Sequence, residues 1–231
     1  MKRHLISLVI VVSVSTTTFA QFKLGLNADI YKPQNQFGKN VSNAPVGMSI
    51  FGLYTPQNSR FSFGSDLGVA MYANRTYDYE LAQEGAPGSF IEVDEEDCFL
   101  HLDLLARYNV YQSPLITLFG EVKAGMYTFF SSRIASEPTL LYQDDFEFHG
   151  TSFNTGVGGG FSLNLSQVFD GKDLERPHPI SLEFTSSYNS GTTASYRNMG
   201  NESGAIAGLE TGNYRSIINN LNFRIGVAVQ L

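Results

Sequence analysis

The stretch CFLHLDLLARYNVYQSPLITLFGEVKAGMY, residues 98–127, alternates with a period of two that is interrupted once. Over residues 98–110 every second side chain is apolar, and the charged residues all fall between them. The alternation resumes after a short turn at residues 111–114. Because successive side chains of a β-strand point to opposite faces, this pattern predicts an antiparallel hairpin with one apolar and one ionic face.

Similar alternation in other segments predicts about eight strands in a single all-β domain. These segments are residues 22–31, 46–54, 61–71, 151–165, 180–188 and 221–231. The connections after the second and fourth strands are short. Long connections fall at residues 32–45, 78–97, 131–150 and 189–212. Short turns at one rim and long loops at the other are typical of an eight-stranded antiparallel up-and-down transmembrane β-barrel. Residues 167–178 depart from this scheme, because they form a long connection on the short-turn side.

The first twenty residues predict export. A basic start, an apolar run and small residues near position 20 indicate a signal peptide over residues 1–20, followed by one barrel domain over residues 21–231. The whole chain has 15 basic and 22 acidic residues, and two of the basic ones lie in the signal, so the mature charge is 13 minus 22, or −9. This charge argues against nucleic acid as a partner. Cys98 is the single cysteine, so no internal disulfide can form.

The ionised residues inside the predicted strands all share the polar face. They are Lys23, Asp29, Asp66, Asp103, Arg107, Glu121, Lys123, Glu183 and Arg224. In a membrane barrel the apolar face meets lipid and the charges point into the lumen, where nearly balanced signs predict paired ions and a sealed interior. Two alternatives stay open. A soluble lipocalin-like carrier would turn the apolar face inward, and a small passive channel would need one sign to dominate a constriction.

Aromatic residues gather near the predicted strand ends, which suggests girdles at the two membrane interfaces. The residues in question are Tyr31, Tyr54, Tyr72, Tyr77, Tyr108, Tyr111, Tyr127, Phe130 and Tyr188.

The hairpin, the segment GVGGGFSLNL at residues 156–165 and the ending NFRIGVAVQL resemble the outer-membrane β-barrel domain of PorT-like and OmpX- or OmpA-like proteins. The resemblance covers the mature chain and implies a cell outer membrane location, with outer-membrane lipid and the barrel assembly machinery as partners. Its PorT-like side implies a role in secretion or surface assembly. Barrels of this kind usually end in an aromatic residue, and this chain ends in Leu231.

The sequence favours a monomeric, non-enzymatic protein without catalytic, cofactor or metal residues. A catalytic hypothesis would combine His101 and Asp103 with Ser62 or Ser181, but a histidine satisfied within a polar core is the better interpretation. The acidic residues 92–97, together with 144–145 and Glu147, could bind Ca²⁺, yet they lack a calcium-loop spacing and are interpreted as a solvated acidic rim. The surface loops are expected to carry any specificity.

Overall fold

The structure, a computed structural model, describes residues 21–41, 43–81, 89–136, 145–166, 179–197 and 213–231. The predicted signal peptide and the connection at residues 167–178 lie outside this part of the chain. Within it, eight strands and one short helix are found. They are β1 (Gln21–Gln34), α1 (Asn35–Asn40), β2 (Val46–Thr55), β3 (Phe61–Leu81), β4 (Ser89–Gln112), β5 (Ile116–Ser136), β6 (Asp145–Asn164), β7 (Ile180–Arg197) and β8 (Asn213–Gln230).

Every strand pairs antiparallel with its neighbours in sequence, and β1 pairs with β8 to close a barrel. The quoted hairpin forms β4 and β5, in which Arg107 faces Glu121 across the pair. The predicted strand number and the up-and-down topology are therefore confirmed. Among the described residues, no helix is long and apolar enough to cross a membrane.

The strands on the long-loop side extend further than the sequence predicts. β3 continues to Leu81 and β4 begins at Ser89, so residues 78–97 are mostly strand, and their assignment as a loop is wrong. The same holds for parts of residues 131–150 and 189–212, which lie in β5, β6 and β7. Because these segments carry many charged and hydroxyl side chains, their sequence is typical of loops. They form strands because the neighbouring strand supplies backbone hydrogen bonds and ionic partners.

An apolar belt surrounds the barrel. Outward side chains on β4 from Leu100 to Val110 are apolar and exposed, and Leu104 at the middle of this run is 67% exposed. Val122 on β5 and Val227 on β8 are about half exposed. A tilted strand of this length spans about 25 Å, the height of the hydrocarbon-facing band of membrane barrels. Because apolar residues face outward, the hypothesis of a soluble carrier with an apolar cavity is wrong.

Above the belt on the long-loop side, aromatic side chains fill the lumen. The cluster, called here the aromatic plug, includes Tyr31, Phe37, Tyr72, Phe99, Tyr127, Phe129 and Tyr196. Asn35 has φ 56°, a left-handed conformation that Asn tolerates, where the chain leaves β1 and enters α1. Phe37 of α1 then packs edge-on against Phe129 and Tyr196.

The aromatic plug corrects part of the girdle prediction. Tyr31, Tyr72 and Tyr127 are buried inside the barrel and cannot lie at a lipid interface. Tyr108 and Tyr188 do face outward and are about 40% exposed. The alternation of the strands accounts for the difference, because the three inward tyrosines share the parity of the lumen charges on their own strands and the other two share the parity of the belt.

Candidate functional site: the ionic lumen

The interior below the aromatic plug holds a connected set of ion pairs, called here the lumen network. Arg224 donates to Asp66 at 2.5 Å and to Glu121. Arg107 donates to Glu121 at 3.1 Å and to Glu183 at 2.9 Å. The network thus joins β3, β4, β5, β7 and β8 across the barrel.

Two lysines extend the lumen network. Lys23 of β1 donates to Glu183 at 2.8 Å, and the Lys123 ammonium lies 3.6 Å from Glu121. The structure therefore brings seven of the nine sequence-predicted lumen residues into one set of ion pairs. Of the other two, Asp103 lies directly opposite Asp66 on the neighbouring strand, with no ion pair among the described residues. Asp29, which shares their face, accepts a hydrogen bond from Asn222 at 3.3 Å.

Aromatic rings flank the network at its lower end. The Arg107 guanidinium lies 3.7 Å from the centre of the Phe119 ring and 5.9 Å from that of Phe51. Such cation–π contacts add to the ion pairs where water is excluded. The Arg107 guanidinium is thus held by two carboxylates and an aromatic ring.

A polar cavity of about 770 Å³ opens at the short-turn rim. Lys23, Arg107 and Glu183 lie at its wall together with Ser62 and Gln230. Since Arg107 and Glu183 also belong to the lumen network, the network forms part of the wall of this cavity.

Among the described contacts, neither candidate serine is hydrogen-bonded to His101. His101 and Asp103 are both buried in the lumen, but the recorded hydrogen bond of His101 runs from Nδ1 to the Tyr31 hydroxyl at 3.2 Å. Ser62 bonds to Thr55 at 2.8 Å, and Ser181 donates to the backbone carbonyl of Ala228 at 3.5 Å. Neither serine is placed for activation by His101.

A second ionic layer, called here the collar, lies above the belt and was missed by the sequence reasoning. Glu95 accepts hydrogen bonds from Arg75 at 2.8 Å and from Arg197. Ser131 contacts Asp97 and lies 2.6 Å from Nε2 of His149. Glu95 and Asp97 are fully buried, so the interpretation of residues 92–97 as a solvated acidic rim is wrong for these two.

The two buried acids of the collar could have been predicted by extending the alternation of β4 to residues 95 and 97. Glu95 and Asp97 have the same parity as His101, Asp103 and Arg107, and no bulge separates them on β4. The partner Arg75 could not be found this way, because a register shift between Met71 and Ala73 reverses the parity of β3.

Asp97 is expected to make the collar sensitive to pH. Burial raises the pKa of this carboxyl to about 6, against hydrogen bonding by Ser131 and the nearby charge of Arg197, which lower it. The folded state therefore holds a proton that the unfolded state releases, so this contribution to stability is full below about pH 4 and is lost as pH rises through 6. In the Asp97→Asn variant, the free energy of unfolding in detergent should depend less on pH between 4 and 7. An unchanged slope of this free energy against pH would contradict the role given to Asp97.

Cys98 is expected to be unreactive in the folded barrel. It is 8% exposed and pairs with Met71 and Phe130 on the neighbouring strands. A buried thiol in apolar surroundings forms little thiolate and is poorly reached by reagents. Maleimide labelling in detergent should be slow before unfolding and rapid in urea. Equal rates in the two states would show that the packing at the top of the belt is looser than described.

Together these features define a class of protein: a closed up-and-down barrel with an ion-paired, polar inside and an apolar outside.

No family model and no curated protein sequence matches the chain. Among solved structures, Neisserial surface protein A is similar with a TM-score of 0.46 and 15% identity over 90% of this chain and 96% of that one. The outer membrane protein OprG of Pseudomonas aeruginosa gives 0.36 and 12% over 92% and 96%. Ail, the attachment invasion locus protein of Yersinia pestis, gives 0.32 and 12% over 92% and 97%. Since these TM-scores are below 0.5, the fold assignment rests on the strand register. The PorT-like part of the resemblance stays a prediction.

Proposed function

We propose that the chain is a non-enzymatic outer-membrane β-barrel protein. The observation that carries this proposal is the inverted polarity of the barrel. Arg107, Glu121 and Arg224 point inward and are nearly inaccessible, whereas Leu104 and Val227 point outward and are exposed. An apolar surface of this extent around a whole barrel is not tolerated in water, and lipid is the solvent that matches it.

The interior is proposed to be sealed. Two layers support this: the lumen network joins opposite walls of the barrel, and the aromatic plug packs above it. A channel requires a continuous polar path, with one sign of charge dominating at its narrowest point. Here cations and anions alternate at ion-pair distances, which argues against such a path.

With the interior filled, any interaction falls to the surface. The outer-membrane lipid would contact the belt, and the assembly machinery would insert the chain. The ion pairs of the collar connect β3, β4 and β7 above the belt and hold these strands together on the long-loop side. We infer a role in surface interaction or envelope integrity, carried out by segments that extend from these strands.

Cell fractionation combined with gel mobility tests the proposal. The protein is expected in the outer-membrane fraction, soluble only in detergent, and its folded form should migrate differently from the boiled form in detergent gels. Planar bilayer recordings of the same preparation should show no stable conductance steps. Recovery from the aqueous fraction would contradict the membrane location. Regular conductance steps from correctly inserted protein would contradict the sealed interior.

A further inference from the structure

Two buried carboxylates face each other in the middle of the barrel. Asp66 on β3 lies directly opposite Asp103 on β4, and their exposures are 1% and 2%. Like charges placed opposite one another on paired strands repel, and the repulsion is strong where water is excluded. Arg224 binds Asp66, whereas no cation lies within ion-pair distance of Asp103 among the described residues, and Lys123 acts on Asp103 only from further away. A positive charge bound near Asp103 would offset the repulsion.

His101 brings a third ligating group to the same place. It lies two residues before Asp103 on the same face of β4, and its Nε2 is 3.8 Å from Oδ2 of Asp66, too far for a hydrogen bond. Ligand atoms of Asp66, His101 and Asp103 all lie within 4.8 Å of one another.

Each of these side chains also has a polar atom without a partner. Oδ1 of Asp66, Nε2 of His101 and Oδ1 of Asp103 have no hydrogen-bond partner among the described residues. Buried polar atoms are normally paired, so an unpaired atom on each of three side chains whose ligand atoms lie within 4.8 Å of one another indicates a missing binding partner.

The count of charged side chains in the lumen also indicates a missing cation. Four cations, namely Lys23, Arg107, Lys123 and Arg224, share the lumen with five anions, namely Asp29, Asp66, Asp103, Glu121 and Glu183. Four against five leaves one negative charge when His101 is neutral. The excess lies where Asp66 and Asp103 meet, because the remaining acids have ion-pair or hydrogen-bond partners.

We propose that Asp66, His101 and Asp103 bind a divalent transition-metal ion of the zinc class. Zn²⁺ takes imidazole nitrogen and carboxylate oxygen ligands at about 2.0 to 2.2 Å in tetrahedral geometry, so its ligand atoms lie about 3.3 to 3.6 Å apart. Separations of up to 4.8 Å, as found here, have to close by up to about 1.4 Å through side-chain rotation when the ion binds. A mixed nitrogen and oxygen set of this kind excludes a preference for Ca²⁺, which takes oxygen ligands.

Tyr31 orients the histidine for this role. Its hydroxyl lies 3.2 Å from Nδ1, so an Nδ1–H donated to this oxygen leaves the Nε2 lone pair directed at the carboxylates. Histidine ligands commonly have an outer hydrogen bond that fixes the tautomer in this way. Tyr31 and Tyr127 also stand edge-on to the imidazole, each with its ring centre 6.2 Å away, and exclude water from that side.

Two glycines make room for the ligands. Gly68 faces His101, and Gly125 faces Asp103, on the neighbouring strands. A Cβ on Gly68 would overlap the imidazole, and one on Gly125 would overlap Oδ1 of Asp103. Any other residue at these two positions would displace the ligating groups, so the backbone itself shapes the site.

The ion must enter as the barrel closes, because the aromatic plug covers the site on one side and the lumen network on the other. The test therefore refolds the urea-denatured mature chain into detergent micelles with ZnCl₂ present. Free zinc is then removed and the bound metal is measured by mass spectrometry. We expect about one zinc ion per folded barrel, held by nitrogen and oxygen ligands. X-ray absorption at the zinc edge should show a single imidazole.

Matched variants locate the ion. His101→Gln and Asp103→Asn should each reduce bound zinc by about tenfold or more. His149→Gln, which changes the buried histidine of the collar, should leave it unchanged. The folded fraction is read from gel mobility in each case. If a variant does not fold, the wild-type stoichiometry and absorption spectrum still decide the matter. Folded wild-type protein without zinc, or with two imidazoles at the metal, would overturn the proposal. The site does not depend on the proposed membrane location.

Discussion

Replacing Glu121 with Gln is expected to lower the free energy of unfolding by about 3 to 5 kcal/mol. Glu121 accepts from both Arg107 and Arg224, and Lys123 lies 3.6 Å away. The substitution keeps the shape of the side chain and removes its charge, which leaves the cations of three ion pairs without their shared anion. Unfolding of the refolded protein by urea in lipid vesicles, followed by circular dichroism, measures the loss.

The matched control for Glu121 is Glu147→Gln in the collar. The Glu147 side chain is 58% exposed and lies 3.8 Å from Nδ1 of His149, so the change should cost no more than about 1 kcal/mol. Equal losses for the two variants would mean that the lumen network is hydrated and contributes little. A much larger loss at Glu121 would show that the paired ions hold the walls of the barrel together.

Leu104→Arg is expected to destabilise the inserted barrel by about 2 to 4 kcal/mol. Leu104 is 67% exposed and lies at the middle of the outward run on β4. An arginine there would be placed in hydrocarbon at mid-depth. In water the same change would be almost neutral, because most of the side chain is exposed. The measurement is urea unfolding in vesicles, together with the yield of inserted protein.

Val110→Arg on the same strand is the control for depth. Val110 is 61% exposed and lies at the short-turn end of the run, beside the turn at Ser113. Near an interface the cost of an arginine falls to about 0 to 1 kcal/mol. The ratio of the two effects therefore reports depth. Similar costs at both positions would contradict a membrane centred on Leu104.

The period-two alternation was enough to predict the barrel wall. It identified the strand number, the topology and the inward residues of the lumen network, because parity decides the face on which a side chain lies. Arg107, Glu121 and Arg224 follow directly from it. Which cation pairs with which anion could not be predicted, since the partners come from strands far apart in sequence and their register depends on closure.

The upper part of the barrel was harder to predict, for two physical reasons. Charged segments such as residues 92–97 resemble loops until their partners on other strands are known. Bulges also reverse the parity of a strand, as between Met71 and Ala73, so Arg75 could not be assigned to the inside. The proposed metal site in the middle of the barrel was also hard to predict. His101 and Asp103 are visible as neighbours on one face, but Asp66 joins them only through the register of β3 and β4.

Depth-dependent fluorescence quenching tests the central claim most directly, because the chain contains no tryptophan and a single one can be introduced without background. Leu104→Trp, inserted in vesicles, should be quenched most strongly by lipids brominated near the bilayer centre. Val110→Trp should respond most to lipids brominated near the headgroups. If Leu104→Trp is quenched by neither and instead responds to a water-soluble quencher, the apolar belt does not meet hydrocarbon, and the account of an inverted barrel in a membrane is contradicted.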